Sequence, residues 1–355
     1  MKILYITRKY PPSVGGMQKF NYDLVTELQK TIDVDLIALG RGQYRLAWFL
    51  PYAFFQGMRK KFEAIHIGDG LLTPVGWVLS KIKKKPYTAT VYGLDITYKN
   101  KLYQSAVIPF INKANKVICI SENTRNLCLE RGCDAKNTVM IPCGIPVSNR
   151  KGPDKKKARE QIARRYNINA DNLILLSVGR LVKRKGIAWF LRQVQPSLKN
   201  TTLIVAGEGP ERDEVNKVAR GMERVRILGQ VDDDLLQLLY RGSDAFVMPN
   251  IKVEGDVEGF GIVLLEAGQN GLYSFASNID GIPAAVRENE NGRLLESGNA
   301  GDWIKELARF EGKRDILEKM GEQAREYVIN NYSWERIAEE YKNVWAEILG
   351  KSYNH

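Results

Sequence analysis

LILLSVGRLVKRKG, residues 173–186, packs a strand, a basic turn and the approach to a helix into one short stretch. The run from Leu173 to Val178 is apolar and too short for a helix. Gly179 and Arg180 close it, and Gly186 permits a tight turn into the amphipathic segment that follows. The same alternation recurs along the chain. Before it come KILYIT, VDLIAL, AIHIG, YTATVYG, KVICIS and TVMIPCG; after it come TLIVAG, VRILG, AFVMP and YSFAS. Short apolar runs separated by longer helical patterns predict an α/β protein of parallel sheets with crossover helices. Between the two series lies NRKGPDKKKARE, residues 149–160, charged and without apolar periodicity, which reads as a linker.

The totals agree with two domains. The chain has 355 residues, about twice one ordinary domain. A hydrophobic content of 44% and 31 glycines fit a globular α/β protein and exclude collagenous, disordered and coiled-coil classes. No uninterrupted apolar run is long enough to span a bilayer. The start, MKILYITRKYPP, meets charge and proline too early for a secretory signal, so a cytoplasmic protein is expected. The four cysteines (Cys119, Cys128, Cys133, Cys143) lack close pairing and read as reduced structural thiols. With only His66 and His355, a histidine-rich metal or triad site is not expected.

Charge is divided unevenly. Residues 1–150 hold 22 of the 53 Lys and Arg but only 10 of the 41 Asp and Glu, so the whole net charge of +12 resides there. A basic half attracts phosphate, whether of nucleic acid, lipid headgroups or a phosphorylated acceptor; a merely well-solvated surface has the same composition. KIKKKP (81–86) and the aromatic AWFLPYAFF (47–55) suit docking on an anionic membrane, unless the aromatic stretch packs in the core.

Three stretches could carry chemistry. In VGRLVKRKG, Arg180 and Lys185 stand at a strand end before a helix, a good setting for a diphosphate. AGEGPERDE offers Gly207 and Gly209 but lacks the third glycine of a dinucleotide fingerprint, as does SVGG, ending at Gly16 after the first strand. Gly15 and Gly16 would allow close backbone approach to a phosphate. In EGFGIVLLE, residues 258–266, Glu266 sits between Leu265 and Ala267, where an unpaired carboxylate costs several kcal/mol. If Gly261 opens a helix, the amides of Phe260, Gly261 and Ile262 want an anion, and Glu258 and Glu266 bracket it; a diol would then satisfy Glu266. VDDD (231–234) reads as a helix cap.

This combination resembles the retaining nucleotide-sugar glycosyltransferases of family 4, the glycosyl transferases group 1, whose signature is a Glu, seven residues and a second Glu. Glu258 and Glu266 match it. The likeness extends to VGR and KG around Arg180 and Lys185, GEGP at 207–210, LGQV at 228–231, GG at 15 and 16 and the last helix, nearly the whole chain. It implies the GT-B arrangement: two Rossmann-like domains facing across a cleft. Residues 1–160 would bind the acceptor and 161–332 the nucleotide sugar, with 333–355 forming a helix, begun by a cap-like Ser333, that returns to the first domain. By the same resemblance Arg180 and Lys185 neutralise the diphosphate, with Phe260, Gly261 and Ile262 supporting it. Glu266 holds the ribose and Glu258 the transferred sugar. Gly16, Gly207 and Val231 complete the donor site. The family uses no metal, so no cofactor is expected beyond the nucleotide-diphosphate sugar, which is a co-substrate.

One departure stands out. Where many relatives carry a His-Gly-x-Asp segment, this chain has Tyr92, Gly93, Leu94 and Asp95; Tyr92 could donate to sugar hydroxyls but cannot mimic an imidazolium. Tyr92 and Asp95 are therefore acceptor-site candidates. The resemblance implies transfer of a hexose-type sugar from a UDP- or GDP-sugar to a glycan or lipid-linked acceptor in envelope polysaccharide or glycolipid synthesis. The enzyme would lie in the cytoplasm or peripherally on the inner face of the membrane, with no nucleic-acid partner. A nucleotide-sugar epimerase, or a basic nucleic-acid binder that would explain the charge but not the paired glutamates, are the competing readings.

Overall fold

A computed structural model describes residues 1–13, 15–39, 45–147, 154–169 and 171–351. The chain divides into two compact units, Met1–Pro146 with Tyr332–His355, and Val147–Asn331. Each is built on a six-stranded, all-parallel sheet among the described residues. In the first unit the strands are β1 (Lys2–Thr7), β2 (Asp33–Ala38), β3 (Ala64–Ile67), β4 (Tyr87–Val91), β5 (Lys116–Cys119) and β6 (Thr138–Met140), ordered β2-β1-β3-β4-β5-β6. In the second they are β7 (Leu173–Val178), β8 (Thr201–Ala206), β9 (Val225–Gly229), β10 (Ala245–Met248), β11 (Tyr273–Ser277) and β12 (Gly292–Leu295), ordered β12-β11-β10-β7-β8-β9.

Helices cover the sheets, so the central strands are buried on both faces and appear in the sequence as continuous apolar runs. Ile3 through Ile6 and Leu173 through Leu176 are buried without alternation. The strand order reverses once in each unit, at β1/β3 and at β7/β10. Ligands of open α/β sheets bind beyond the carboxyl ends of the strands at such points. Topology thus singles out the loops after β7 and β10, and after β1 and β3.

Two sequence expectations need correction. The charged stretch 149–160 is not all linker. Residues 149–153 lie outside the described residues, but Lys155–Tyr166 is a helix of the second unit, begun by Asp154, whose side chain accepts from the Lys156 amide. It anchors through buried Ala158 and Ile162 and through Arg159, whose Nη1 lies 2.6 Å from the Asp244 carboxylate. The division between units falls at Pro146/Val147 rather than at 160. Strand β12 also escaped notice. GRLL is short, has no β-branched residue and lies at the sheet edge, and Gly292 is demanded because a Cβ there would stand 2.6 Å from the Ser274 carbonyl oxygen.

The last helix, Trp334–Ile348, packs in the first unit. Ser333 occupies the N-cap position, but its side chain makes no capping hydrogen bond. Instead the entry is held by backbone: Ile145 donates to the Tyr332 carbonyl and Trp334 to that of Ile145. Tyr341 and Trp345 are wholly buried, with the Tyr341 hydroxyl 2.9 Å from Thr90 Oγ1 and Trp345 Nε1 donating to Thr88 Oγ1 at 3.0 Å. His66 joins this cluster through Nδ1, 2.8 Å from Thr88 Oγ1; burial pushes its pKa down to about 3, so it is neutral and structural. All four cysteines are buried and unbridged. Replacing Trp345 with alanine should cost about 3–5 kcal/mol of stability, as for other fully buried aromatic side chains. Trp48, 81% exposed, should cost about 0.5 kcal/mol or less on the same change. Urea unfolding of the two variants checks the contrast.

Candidate functional site

At the β7/β10 reversal two loops are fastened together by backbone. The residues Lys183–Lys185 form a 3-10 turn, and Gly186 follows with φ 68°. A Cβ on Gly186 would stand 1.9 Å from the Pro249 carbonyl oxygen, so only glycine fits. The Ile251 amide donates to the Arg184 carbonyl at 2.8 Å. This clasp brings Lys185, which follows β7, against Glu258, which follows β10: Nζ and Oε2 are 2.5 Å apart. Arg184 Nη2 lies 3.6 Å from the same oxygen, and Asn250 Nδ2 donates to it at 3.3 Å. The main chain of Glu258 is fixed as well. Its amide donates to Asp280 Oδ2 at 3.1 Å and its carbonyl accepts from Gly281 at 2.9 Å.

Burial pushes the Glu258 carboxyl up, but the Lys185 and Arg184 charges and the Lys185 and Asn250 hydrogen bonds outweigh it, leaving the group below its ordinary value. Burial lowers the Lys185 pKa despite the opposing pull of Glu258. Arg180 is exposed, and with Lys185 and Asn250 it lines a narrow crevice at the carboxyl ends of β7 and β10. The expected cations and the first glutamate thus come together, though Lys185 and Glu258 engage each other. Arg184, Asn250 and Asp280 were not foreseen. Asn250 Oδ1 is buried without a hydrogen-bond partner among the described residues.

Gly261 does open a helix. It is the N-cap of Ile262–Gln269 with φ 90°; the Leu264 amide donates to the Gly261 carbonyl at 2.9 Å, while the amides of Ile262 and Val263 before it have no preceding helical turn to bond. Glu266 lies one turn in and is half-buried. Its partner is within the chain: the buried Tyr240 hydroxyl donates to Oε2 at 3.1 Å. Burial and the adjacent carboxylate hold the Tyr240 hydroxyl far above its ordinary pKa, so it stays a donor. A diol is therefore not required to make Glu266 tolerable. Phe260 is buried immediately before the cap.

Gly207 has a different cause from the one expected. A Cβ there would meet the Gly179 carbonyl oxygen at 1.9 Å, and one on Gly209 would meet that of Leu181 at 2.2 Å. These glycines let the loops after β7 and β8 cross, and they do not need a phosphate to explain them. Val231 is half-buried after β9. The neighbouring Asp232 is a helix cap, as expected, accepting from the Leu235 amide at 2.8 Å.

In the first unit, the β1/β3 reversal opens into a cavity of about 760 Å³ lined by Arg8, Lys9, Asp69, Asp95 and Tyr103 among others. Arg8 Nε lies 2.9 Å from Asp69 Oδ1. Burial pushes the Asp95 carboxyl up to about 6, against the Tyr92 amide, which donates to it at 2.8 Å; nearby Asp69 adds to the rise. Tyr103 Oη is buried and without a hydrogen-bond partner among the described residues, a candidate that local sequence could not reveal. Tyr92 does not fit the role expected of it. It is 6% exposed, its hydroxyl accepting from Asn21 Nδ2 and donating to the Gly68 carbonyl, both at 3.1 Å, so it is a core residue. Gly16 begins the helix Gly16–Leu28, and no atom lies within 4 Å of where its Cβ would be. The chain itself makes no demand for glycine there.

Comparison with known proteins accounts for both units. The family model described as Glycosyl transferases group 1 matches residues 158–327, and that described as Glycosyltransferase Family 4 matches residues 39–149. An uncharacterized glycosyltransferase of Methanocaldococcus jannaschii is 27% identical, with 99% of this chain and 100% of that one covered. The GDP-mannose-dependent alpha-(1-6)-phosphatidylinositol monomannoside mannosyltransferase of Mycobacterium tuberculosis is 26% identical over 95% of this chain and 96% of its own. Among solved structures, Anabaena HepE in complex with UDP superposes with a TM-score of 0.78 at 18% identity, covering 98% of this chain and 100% of that one. Sucrose-phosphate synthase from Thermosynechococcus elongatus gives 0.76 at 22% identity, covering 99% and 100%. Two parallel-sheet units in this order, matched by two glycosyltransferase models, make the chain a hexosyltransferase that belongs to the group 1, family 4 glycosyltransferases of GT-B fold.

Proposed function

We propose that the enzyme moves a hexose-type sugar from a UDP- or GDP-sugar, with retention, to a hydroxyl of a glycan or lipid-linked acceptor. The observation that carries this reading is the cluster of Arg180, Lys185, Asn250 and Glu258 at the β7/β10 reversal. The donor diphosphate sits at the mouth of the crevice, drawing on exposed Arg180, on Lys185 and on the first amides of the Ile262–Gln269 helix. As the phosphate competes for Lys185, Glu258 turns to the hydroxyls of the transferred sugar. Glu266, held by Tyr240, takes the ribose hydroxyls. The two cations supply the positive charge that the leaving group needs, so no metal or other cofactor is invoked.

In the transfer, the bond from the anomeric carbon to the diphosphate oxygen breaks while one to the acceptor oxygen forms on the same face. The acceptor proton passes to a phosphate oxygen of the leaving group. The protein contributes position and charge. The cavity of the first unit receives the acceptor, with Asp95, Arg8 and Tyr103 available to hydroxyls or phosphate. An acceptor at a membrane is supported by the helix Leu46–Arg59. It buries Phe49, Ala53 and Gly57, yet leaves Trp48, Tyr52 and Phe55 exposed along its other side. The stretch 47–55 is thus partly core and partly surface, and it lies in the basic half of the chain. The mycobacterial relative named above acts, by its name, on a phosphatidylinositol mannoside, which fits that class. The enzyme would then work from the cytoplasmic face.

Calorimetric titration with UDP- and GDP-sugars should show binding of one nucleotide class. Arg180→Ala should lower turnover about 100-fold, the effect of losing about 3 kcal/mol of charge stabilisation, with an unchanged unfolding midpoint because Arg180 is exposed. Wild-type turnover in this variant would remove the assignment. Asp95, raised to about 6, loses its charge as pH falls through that value; kcat/KM for the acceptor should drop below pH 6, and Asp95→Asn should flatten that limb. In flotation with anionic vesicles, a Trp48→Ala/Phe55→Ala variant should lose most of the wild-type association.

A further inference from the structure

The first unit holds a second cavity that donor and acceptor leave unused. Its volume is about 740 Å³, and it lies by Pro86 and Asn115, the residues immediately before β4 and β5. That is the amino-terminal end of the sheet, opposite the loops that carry Arg8, Asp69 and Asp95. Trp77 and Pro86 form apolar wall, and Lys81, Lys84, Lys85 and Lys113 converge on the space without a single Asp or Glu in the lining. From residue 70 to residue 121 the chain contains one acid, Asp95, and it faces the other end.

Ordinary helix electrostatics explains part of this cluster. Lys81 stands in the last turn of the helix Thr73–Lys83, where cations complement the carbonyl end. It does not explain the rest. Lys84 lies beyond the helix in the left-handed conformation at φ 52°, which sends the chain back toward β4. Lys113 comes from a separate loop, its Nζ 5.2 Å from the ring centroids of both Trp77 and Phe110. Among the described residues no carboxylate pairs with any of the four. Like charges gathered around a cavity repel one another until an anion enters. The size fits one or two phosphoryl groups with a ring-sized body beside Trp77.

We propose that this groove is a second phosphate site, in which Lys81, Lys84, Lys85 and Lys113 take a phosphomonoester or diphosphate group. The group could be carried by a lipid headgroup or by a soluble ligand, and two measurements separate these sources. In calorimetry with sodium pyrophosphate, the wild type should show two sites. A Lys84→Gln/Lys85→Gln/Lys113→Gln variant should show only the one that Arg180→Ala removes, and quenching of tryptophan fluorescence should be lost in Trp77→Phe. That result assigns a soluble ligand. In sedimentation with vesicles of phosphatidylglycerol in phosphatidylcholine, a tenfold fall in binding by the lysine variant, beyond that of Trp48→Ala/Phe55→Ala, assigns a headgroup. The two variants also keep this site separate from the aromatic membrane face, whose failure would leave the pyrophosphate result untouched. If the lysine variant matches the wild type in both measurements, the site does not exist. The substituted lysines are at the surface, so loss of fold, checked by circular dichroism, would not be the cause of a change.

Discussion

Everything in the second unit that bears on chemistry depends on the contact between the loops after β7 and β10. Gly186 admits the Pro249 carbonyl where any side chain would collide, and the Ile251 amide closes on the Arg184 carbonyl. Two segments more than sixty residues apart are thereby fixed within hydrogen-bond reach. The Lys185–Glu258 pair is the result. A buried ion pair of this kind is weak evidence of stability, because desolvation offsets most of its attraction. On the reading proposed above, its worth is as a poised arrangement: a cation and a carboxylate that neutralise each other until the donor's phosphate and hydroxyl groups take one each.

The same logic operates in the first unit with different groups. Reversal of strand order again opens a space beyond the strand ends, and again it is lined by an ion pair, here Arg8 with Asp69, beside a carboxyl lifted by burial. Perturbed titratable groups concentrate where a sheet changes direction because the loops there diverge and leave polar side chains partly dry. At the far end of that sheet, the groove beside Pro86 and Asn115 is lined by four lysines and no acid, while the neighbouring strand starts pair Lys2 with Asp33 and Lys116 with Glu347. Two ends of one sheet thus carry two differently charged spaces, one lined by both signs and the other by lysines alone.

How much of this was legible beforehand follows from the range of each interaction. The central strands stood out because burial on both faces writes a continuous apolar run, as in β1 and β7, and the edge strands β2, β6 and β9 through their β-branched residues. β12 did not, being four residues long with no β-branched residue. The Lys155–Tyr166 helix read as linker because it buries only Ala158 and Ile162, and its main anchor, Asp244, is remote in sequence. Arg180, Lys185, Glu258 and Glu266 stand out as candidates through spacing and family likeness. Tyr240, Asn250, Asp280 and Tyr103 were not, since their partners or neighbours are set by tertiary structure. Tyr92 misled for the opposite reason: its position matched a motif, while its hydroxyl was already engaged by Asn21 and Gly68. Gly207 matched a ligand-side expectation yet answers to the Gly179 carbonyl.

The most direct test of the central claim is a crystal structure of the enzyme soaked with UDP or GDP. The account predicts the diphosphate within hydrogen-bond distance of Arg180 and Lys185 at the Ile262–Gln269 helix start, with the Lys185–Glu258 contact lengthened and Glu266 on the ribose. A nucleotide bound away from the β7/β10 reversal, with that ion pair undisturbed, would contradict it.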